Sequence, residues 1–139
     1  MKKYPPRGLS LLLALCAFAS GAVAAQRNPM SVHVLDQQTG LPAGGMHVVL
    51  AKARGQHWTA ISEGTTDADG RVAALYPADQ ALVAGQYRVT FHTGAWYRKQ
   101  GQPTFYPEVQ VVIAVDGSIP HYHIPLLLSA YGYSTYRGS

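Results

Sequence analysis

Alternation is the strongest regularity along this chain. From Gln86 to His92, Tyr87, Val89 and Phe91 fall on one side while Gln86, Arg88, Thr90 and His92 fall on the other, the period of two expected of a half-buried strand. The segment 109–115 repeats the pattern with Val109, Val111, Ile113 and Val115. Its alternate positions also hold Val112 and Ala114, which predicts a strand covered on both sides. Shorter segments of strand character run over 31–35, 46–52, 58–62, 71–75 and 121–128. They are separated by turn formers such as Thr39-Gly-Leu-Pro42, Asp67-Ala-Asp-Gly70 and Asp116-Gly117. One stretch breaks the alternation: Pro77 followed by helix formers to Ala84 and then Gly85 predicts a single short helix over 77–84. The predicted class is all-β, a β-sandwich with one short helix.

The first residues follow a different rule. Lys2, Lys3 and Arg7 precede an apolar run from Leu9 to Phe18 and then small residues to Ala25, the order of a secretory signal peptide. The run is shorter than the roughly 20 residues a membrane-spanning helix needs. Residues 1–25 are therefore read as a removed signal, with cleavage after Ala24 or after Ala25, and 26–139 as one domain with no membrane attachment. Cys16 lies in the removed part, so no disulfide is available to the exported domain. The net charge of +4 changes meaning too, because three of the eleven Lys and Arg leave with the signal. The remaining cations are scattered rather than gathered into a basic stripe, which argues against nucleic acid as a partner.

The chemistry-bearing residues are few. His33 sits in Ser31-Val-His-Val-Leu-Asp36 on the face opposite Val32 and Val34. His121 and His123 share one face of their strand. An imidazole ordinarily titrates near 6.5 and suits proton transfer at neutral pH. Taken alone, His33 could simply line a polar sheet face, and Arg71 could be a solvated charge after a turn. The pair His121/His123, joined in space by His33, could also hold zinc, which wants a complete tetrahedral shell. Asp67, Asp69 and Gly70 lack the further oxygens of a calcium loop. There is no nucleophile elbow and no His-Glu-x-x-His motif, which leaves attack by an activated water on an electrophilic carbonyl.

The tail carries the most specific signal. Tyr131-Gly-Tyr-Ser-Thr-Tyr-Arg-Gly-Ser139 is rich in tyrosine and hydroxyl groups and poor in aliphatic ones, so it suits docking onto the domain better than burial or fraying. The blocks 31–43, Thr65-Thr-Asp-Ala-Asp-Gly-Arg71 and His121 to Ser139 together resemble the transthyretin-like 5-hydroxyisourate hydrolases. The closing Tyr-Arg-Gly-Ser separates these from the hormone-carrying transthyretins of the same fold. The resemblance implies a transthyretin-like two-sheet β-sandwich assembling as a homotetramer, a dimer of dimers with active sites in the channel between dimers. It implies His33, Arg71 and His123 as catalytic residues and Tyr136, Arg137, Gly138 and Ser139 as substrate-binding residues at a subunit interface.

The implied reaction opens 5-hydroxyisourate to 2-oxo-4-hydroxy-4-carboxy-5-ureidoimidazoline in urate degradation, with no metal or organic cofactor. His33 is expected to position and deprotonate the water, Arg71 to grip the substrate's oxygens, and His123 to join the proton relay. The Ser139 hydroxyl is expected to bond the substrate or the water, and His121 to line the site outside the catalytic set. With the signal, the expected location is the periplasm. A non-catalytic binder of small ligands in the same channel is the main alternative; an appended structural sandwich and a metal-storage protein rank lower.

Overall fold

The computed structural model describes Met1 and residues 26–139. The expected signal segment, with Cys16, otherwise lies outside the described residues. Two sheets face each other. The first holds β1 (Met30–Asp36), β2 (Leu41–Pro42), β5 (Arg71–Val72), β8 (Tyr122–Ser129) and β9 (Gly132–Thr135), in the order β2-β1-β8-β9 with β5 also on β1. The second holds β3 (His47–Arg54), β4 (His57–Thr65), β6 (Gly85–Phe91) and β7 (Val109–Val115), in the order β4-β3-β6-β7.

Alternation sets the core directly. Met30, Val32 and Val34 of β1 and Ile124, Leu126 and Leu128 of β8 point inward, as do Val48 and Leu50 of β3 and Tyr87, Val89 and Phe91 of β6. All join one buried cluster. Each such side chain contributes roughly 1.5–3 kcal/mol by leaving water. The outward positions of the same strands are freed for chemistry, and β1 paired in parallel with β8 brings Ser31 opposite His123.

The helix is displaced from its predicted place. Residues 77–84 form a turn and an irregular segment, and α1 spans Thr93–Lys99. Two tyrosines explain the first part: the Tyr76 hydroxyl donates to the Ala81 carbonyl (3.0 Å) and the Tyr87 hydroxyl to the Val83 carbonyl (2.7 Å). The two bonds anchor the irregular segment at Ala81 and Val83 to side chains on either side of it. Tertiary contacts also explain α1. Thr93 Oγ1 donates to the Tyr106 carbonyl at 2.7 Å, Gly94 N donates to the Pro107 carbonyl at 2.9 Å, and Tyr97 is fully buried.

Strand β7 departs from expectation in another way. Only its inward face is covered within one chain; Gln110, Val112 and Ala114 are exposed along the edge of the second sheet. The segment expected over 71–75 keeps ladder pairing only at Arg71 and Val72, although Leu75 N still donates to the Met30 carbonyl at 3.0 Å. The short strands β2 and β9 carry too few alternating positions to be read from sequence.

The turn before β5 is tightly constrained. Asp67 Oδ1 accepts from the amides of Asp69 and Arg71 at 2.9 Å each, and Gly70 N donates to the Asp67 carbonyl at 2.9 Å. Gly70 has φ +72°, and a Cβ there would collide with the Val34 carbonyl oxygen, to which the turn is tied by Val34 N donating to Gly70 O at 2.8 Å. Gly40 has a similar φ of +74° with nothing close to it. Gly40→Ala should therefore cost only the left-handed strain, about 1–2 kcal/mol. Gly70→Ala should cost clearly more in urea unfolding, and equal losses would refute the steric account.

Candidate active site

The first sheet turns its outer face away from the core, and the predicted catalytic residues gather there. His33 on β1 pairs in register with Arg71 on β5, while His123 on β8 is opposite Ser31, two residues before His33 on the same face. The clamped turn 67–70 is what delivers Arg71.

Both histidines are half-buried, and both are biased towards the neutral form. Burial pushes His33 below its ordinary value, and the Arg71 charge adds to this; the Asp69 backbone and the charges of Asp67 and Asp69 pull the other way. Burial likewise lowers His123, followed by the charges of Arg71, His121, His33 and Arg27. The same guanidinium thus acts on both rings, which ties the three residues into one electrostatic unit.

This predicts the pH profile. A base works unprotonated, so a histidine titrating below about 6.5 stays competent further into acid than an ordinary one. At pH 6.5, kcat/KM should remain above half of its alkaline plateau and fall only at lower pH. A midpoint above 6.5 would contradict the lowered values.

Ser31 holds the second feature of the face. Its Oγ lies 2.9 Å from His121 Nε2 and 2.8 Å from His123 Nδ1, and His121 Nδ1 is 2.6 Å from the Asn28 carbonyl. The two rings are stacked with centroids 6.4 Å apart. Their facing nitrogens are thus occupied by a hydroxyl. Among the described residues, no three His, Cys, Asp or Glu are arranged to hold a metal ion.

The tail closes onto the same strand. Strand β9 pairs with β8 antiparallel, and Thr135 Oγ1 donates to the Pro125 carbonyl at 2.7 Å. Beyond it, Gly138 forms a bridge with His123, its amide donating to the His123 carbonyl at 3.0 Å. A Cβ at Gly138 would collide with Cδ2 of the His123 ring, so glycine is what lets the tail pass over the imidazole. Tyr136, Arg137 and Ser139 are exposed. A cleft of about 340 Å³ between the edge strands β7 and β9 borders His123, Tyr136 and Arg137 but not His33 or Arg71. In a single chain the latter two lie on an open sheet face.

Residues 30–138 match the HIUase/Transthyretin family. The chain belongs to that family. It is similar to the 5-hydroxyisourate hydrolase of Salmonella dublin, 48% identical over 130 residues that make up 94% of this chain and 95% of the relative. Among solved structures, transthyretin from Sparus aurata has a TM-score of 0.75 at 35% identity, covering 81% of this chain and 97% of its own. The 5-hydroxyisourate hydrolase of Klebsiella pneumoniae has a TM-score of 0.68, also at 35% identity, covering 79% of this chain and 98% of its own. Backbone likeness does not separate the two branches of the HIUase/Transthyretin family, so the side chains must.

Sequence reasoning missed Ser31 and Asn28 as partners of the histidines. A signal for Ser31 existed, since alternation puts it on the His33 face; Asn28 precedes the first strand and offers only a backbone oxygen, which no side-chain pattern reveals.

Proposed function

We propose that this member of the HIUase/Transthyretin family hydrolyses 5-hydroxyisourate. The observation that carries the reading is the joining of His33, Arg71 and His123 on one sheet face, with the Tyr-Arg-Gly-Ser tail bridged to His123. The 48% identity to a protein named as that hydrolase, extending over nearly all of both chains, supports it independently.

In the proposed reaction, water attacks C6 of the substrate and a neutral imidazole, from His33 or His123, takes its proton. The new C–O bond places negative charge on the carbonyl oxygen, where the Arg71 guanidinium offsets it with a charge-assisted hydrogen bond. Collapse breaks the N1–C6 bond, N1 receives a proton from the imidazolium, and the product leaves as a carboxylate and a ureido group. Neither a metal nor an organic cofactor enters these steps. The tail residues Tyr136 to Ser139 form the wall beside His123, and the Ser139 hydroxyl bonds the substrate or the water.

The reading includes assembly and location. Val112 on β7 and Tyr131, Tyr133 and Tyr136 around β9 are large apolar or aromatic groups left exposed by one chain, and their burial in a tetramer built as a dimer of dimers would enclose the open face. The basic, apolar and small-residue order of the first 25 residues supports export, with the domain working in the periplasm.

The test is to generate 5-hydroxyisourate in situ from urate and follow its ultraviolet absorbance with and without purified protein. Acceleration over spontaneous decay is expected. Decay at the uncatalysed rate from folded protein would move the assignment to a non-catalytic ligand binder, which the likeness to transthyretin favours next.

A further inference from the structure

Three nitrogens and two oxygens near the start of β1 and β8 form a line that the proposed reaction does not yet use: the Asn28 carbonyl, both ring nitrogens of His121, the Ser31 hydroxyl and Nδ1 of His123. Its donors and acceptors can be counted. A carbonyl only accepts, so His121 Nδ1, 2.6 Å from Asn28 O, must carry a proton. In a neutral His121, Nε2 is then a lone pair, and at 2.9 Å it accepts the hydroxyl proton of Ser31. Ser31 has only that one proton. Towards His123 it can therefore only accept, so His123 Nδ1, 2.8 Å away, must donate. A neutral His123 with its proton on Nδ1 has its lone pair on Nε2.

We infer that Ser31 and His121 are positioning residues that hold His123 in the Nδ1–H tautomer, which makes His123 Nε2 the base that takes the proton of the attacking water. The inference rests on the hydrolase reading and goes beyond it by dividing the labour between the histidines. Burial strengthens the case: Ser31 is 6% exposed on the outer side of the sheet, and an unpaired hydroxyl buried there would cost roughly 1–3 kcal/mol. The bond to Ser31 also fixes the ring plane against Gly138, whose backbone passes beside Cδ2, the carbon bonded to Nε2. His33 then serves the substrate side with Arg71, its register partner.

The arrangement resembles the logic by which a carboxylate orients a catalytic imidazole, with a neutral hydroxyl and second imidazole in its place. Loss of an orienting partner should therefore be milder than loss of the base itself, roughly ten- to a hundred-fold.

The test combines nitrogen-15 NMR of the histidine rings with steady-state kinetics on the wild type, Ser31→Ala, Ser31→Thr and His121→Phe. Expected are an Nδ1–H tautomer for His123 in the wild type, loss of that preference in Ser31→Ala and His121→Phe, and a fall in kcat with KM nearly unchanged. Ser31→Thr, which keeps the hydroxyl, should restore both the tautomer and kcat to within a few-fold. A wild-type His123 protonated on Nε2, or a Ser31→Ala enzyme with normal kcat, would overturn the inference. Wild-type protein that fails to accelerate substrate decay would instead refute the hydrolase reading, and the base assignment would fall with it. The ring spectrum would still decide the tautomer, because it needs no substrate.

Discussion

Arg71→Ala should lower kcat/KM for 5-hydroxyisourate about 10²- to 10³-fold, the loss expected when a group that stabilises charge developing on an attacked carbonyl is removed. Arg71 is exposed in the single chain and its backbone, not its side chain, is tied into the turn by Asp67, so the fold should survive the change. The variant should also move the acid limb of the pH profile. Arg71 lowers both His33 and His123 through its charge, and without it both histidines rise towards the ordinary value and protonate at higher pH. Arg71→Lys separates the two effects. Lysine keeps the charge and so leaves the acid limb in place, yet it lacks the planar fork that grips two oxygens, and kcat/KM should still fall by at least tenfold. A lysine variant with wild-type turnover would reduce Arg71 to an electrostatic bystander.

Gly138→Ala should cost at least about 10²-fold in kcat, a large return for one methyl group far from the core. The added Cβ would meet the His123 ring at Cδ2 and would lie 3.1 Å from Cγ of His123 and 3.1 Å from Cγ of Pro125. Two escapes exist, and both damage the site. Rotating the imidazole breaks its 2.8 Å bond to Ser31 and misaims Nε2, whereas lifting the tail breaks the bond from Gly138 N to the His123 carbonyl and carries Ser139 away. Unfolding of the single domain should barely change, since none of the tail belongs to the buried cluster. Removing Tyr136 to Ser139 should reproduce the loss. Full activity in either variant would disconnect the tail from catalysis.

The sandwich was legible because burial at every second residue leaves a mark that survives without neighbours: Met30, Val32 and Val34, or Tyr87, Val89 and Phe91, identify their own inward faces. The outward face of Ser31 and His33 was legible for the same reason. The helix was not. Residues 77–84 have the local preferences of a helix, but Tyr76 and Tyr87 anchor Ala81 and Val83 in an irregular path, while Thr93–Lys99 becomes helical around the buried Tyr97 and the contact of Gly94 with Pro107. Local propensity amounts to less than about 1 kcal/mol per residue for ordinary residues, and such contacts override it.

The candidate site residues divide along the same line. Residue types and their order along the chain determined the fold class, the outward strand positions of His33, His123 and Ser31, and the family resemblance carried by the Tyr-Arg-Gly-Ser end. Only the tertiary structure decided which of them meet. Arg71 reaches His33 through the pairing of a two-residue strand, Ser31 reaches His121 and His123 through a parallel register spanning about ninety positions, and Gly138 reaches His123 through the return of the tail. Alternation sets which way a side chain points, but register sets what it points beside, and register is settled by long-range pairing that no short window of sequence contains.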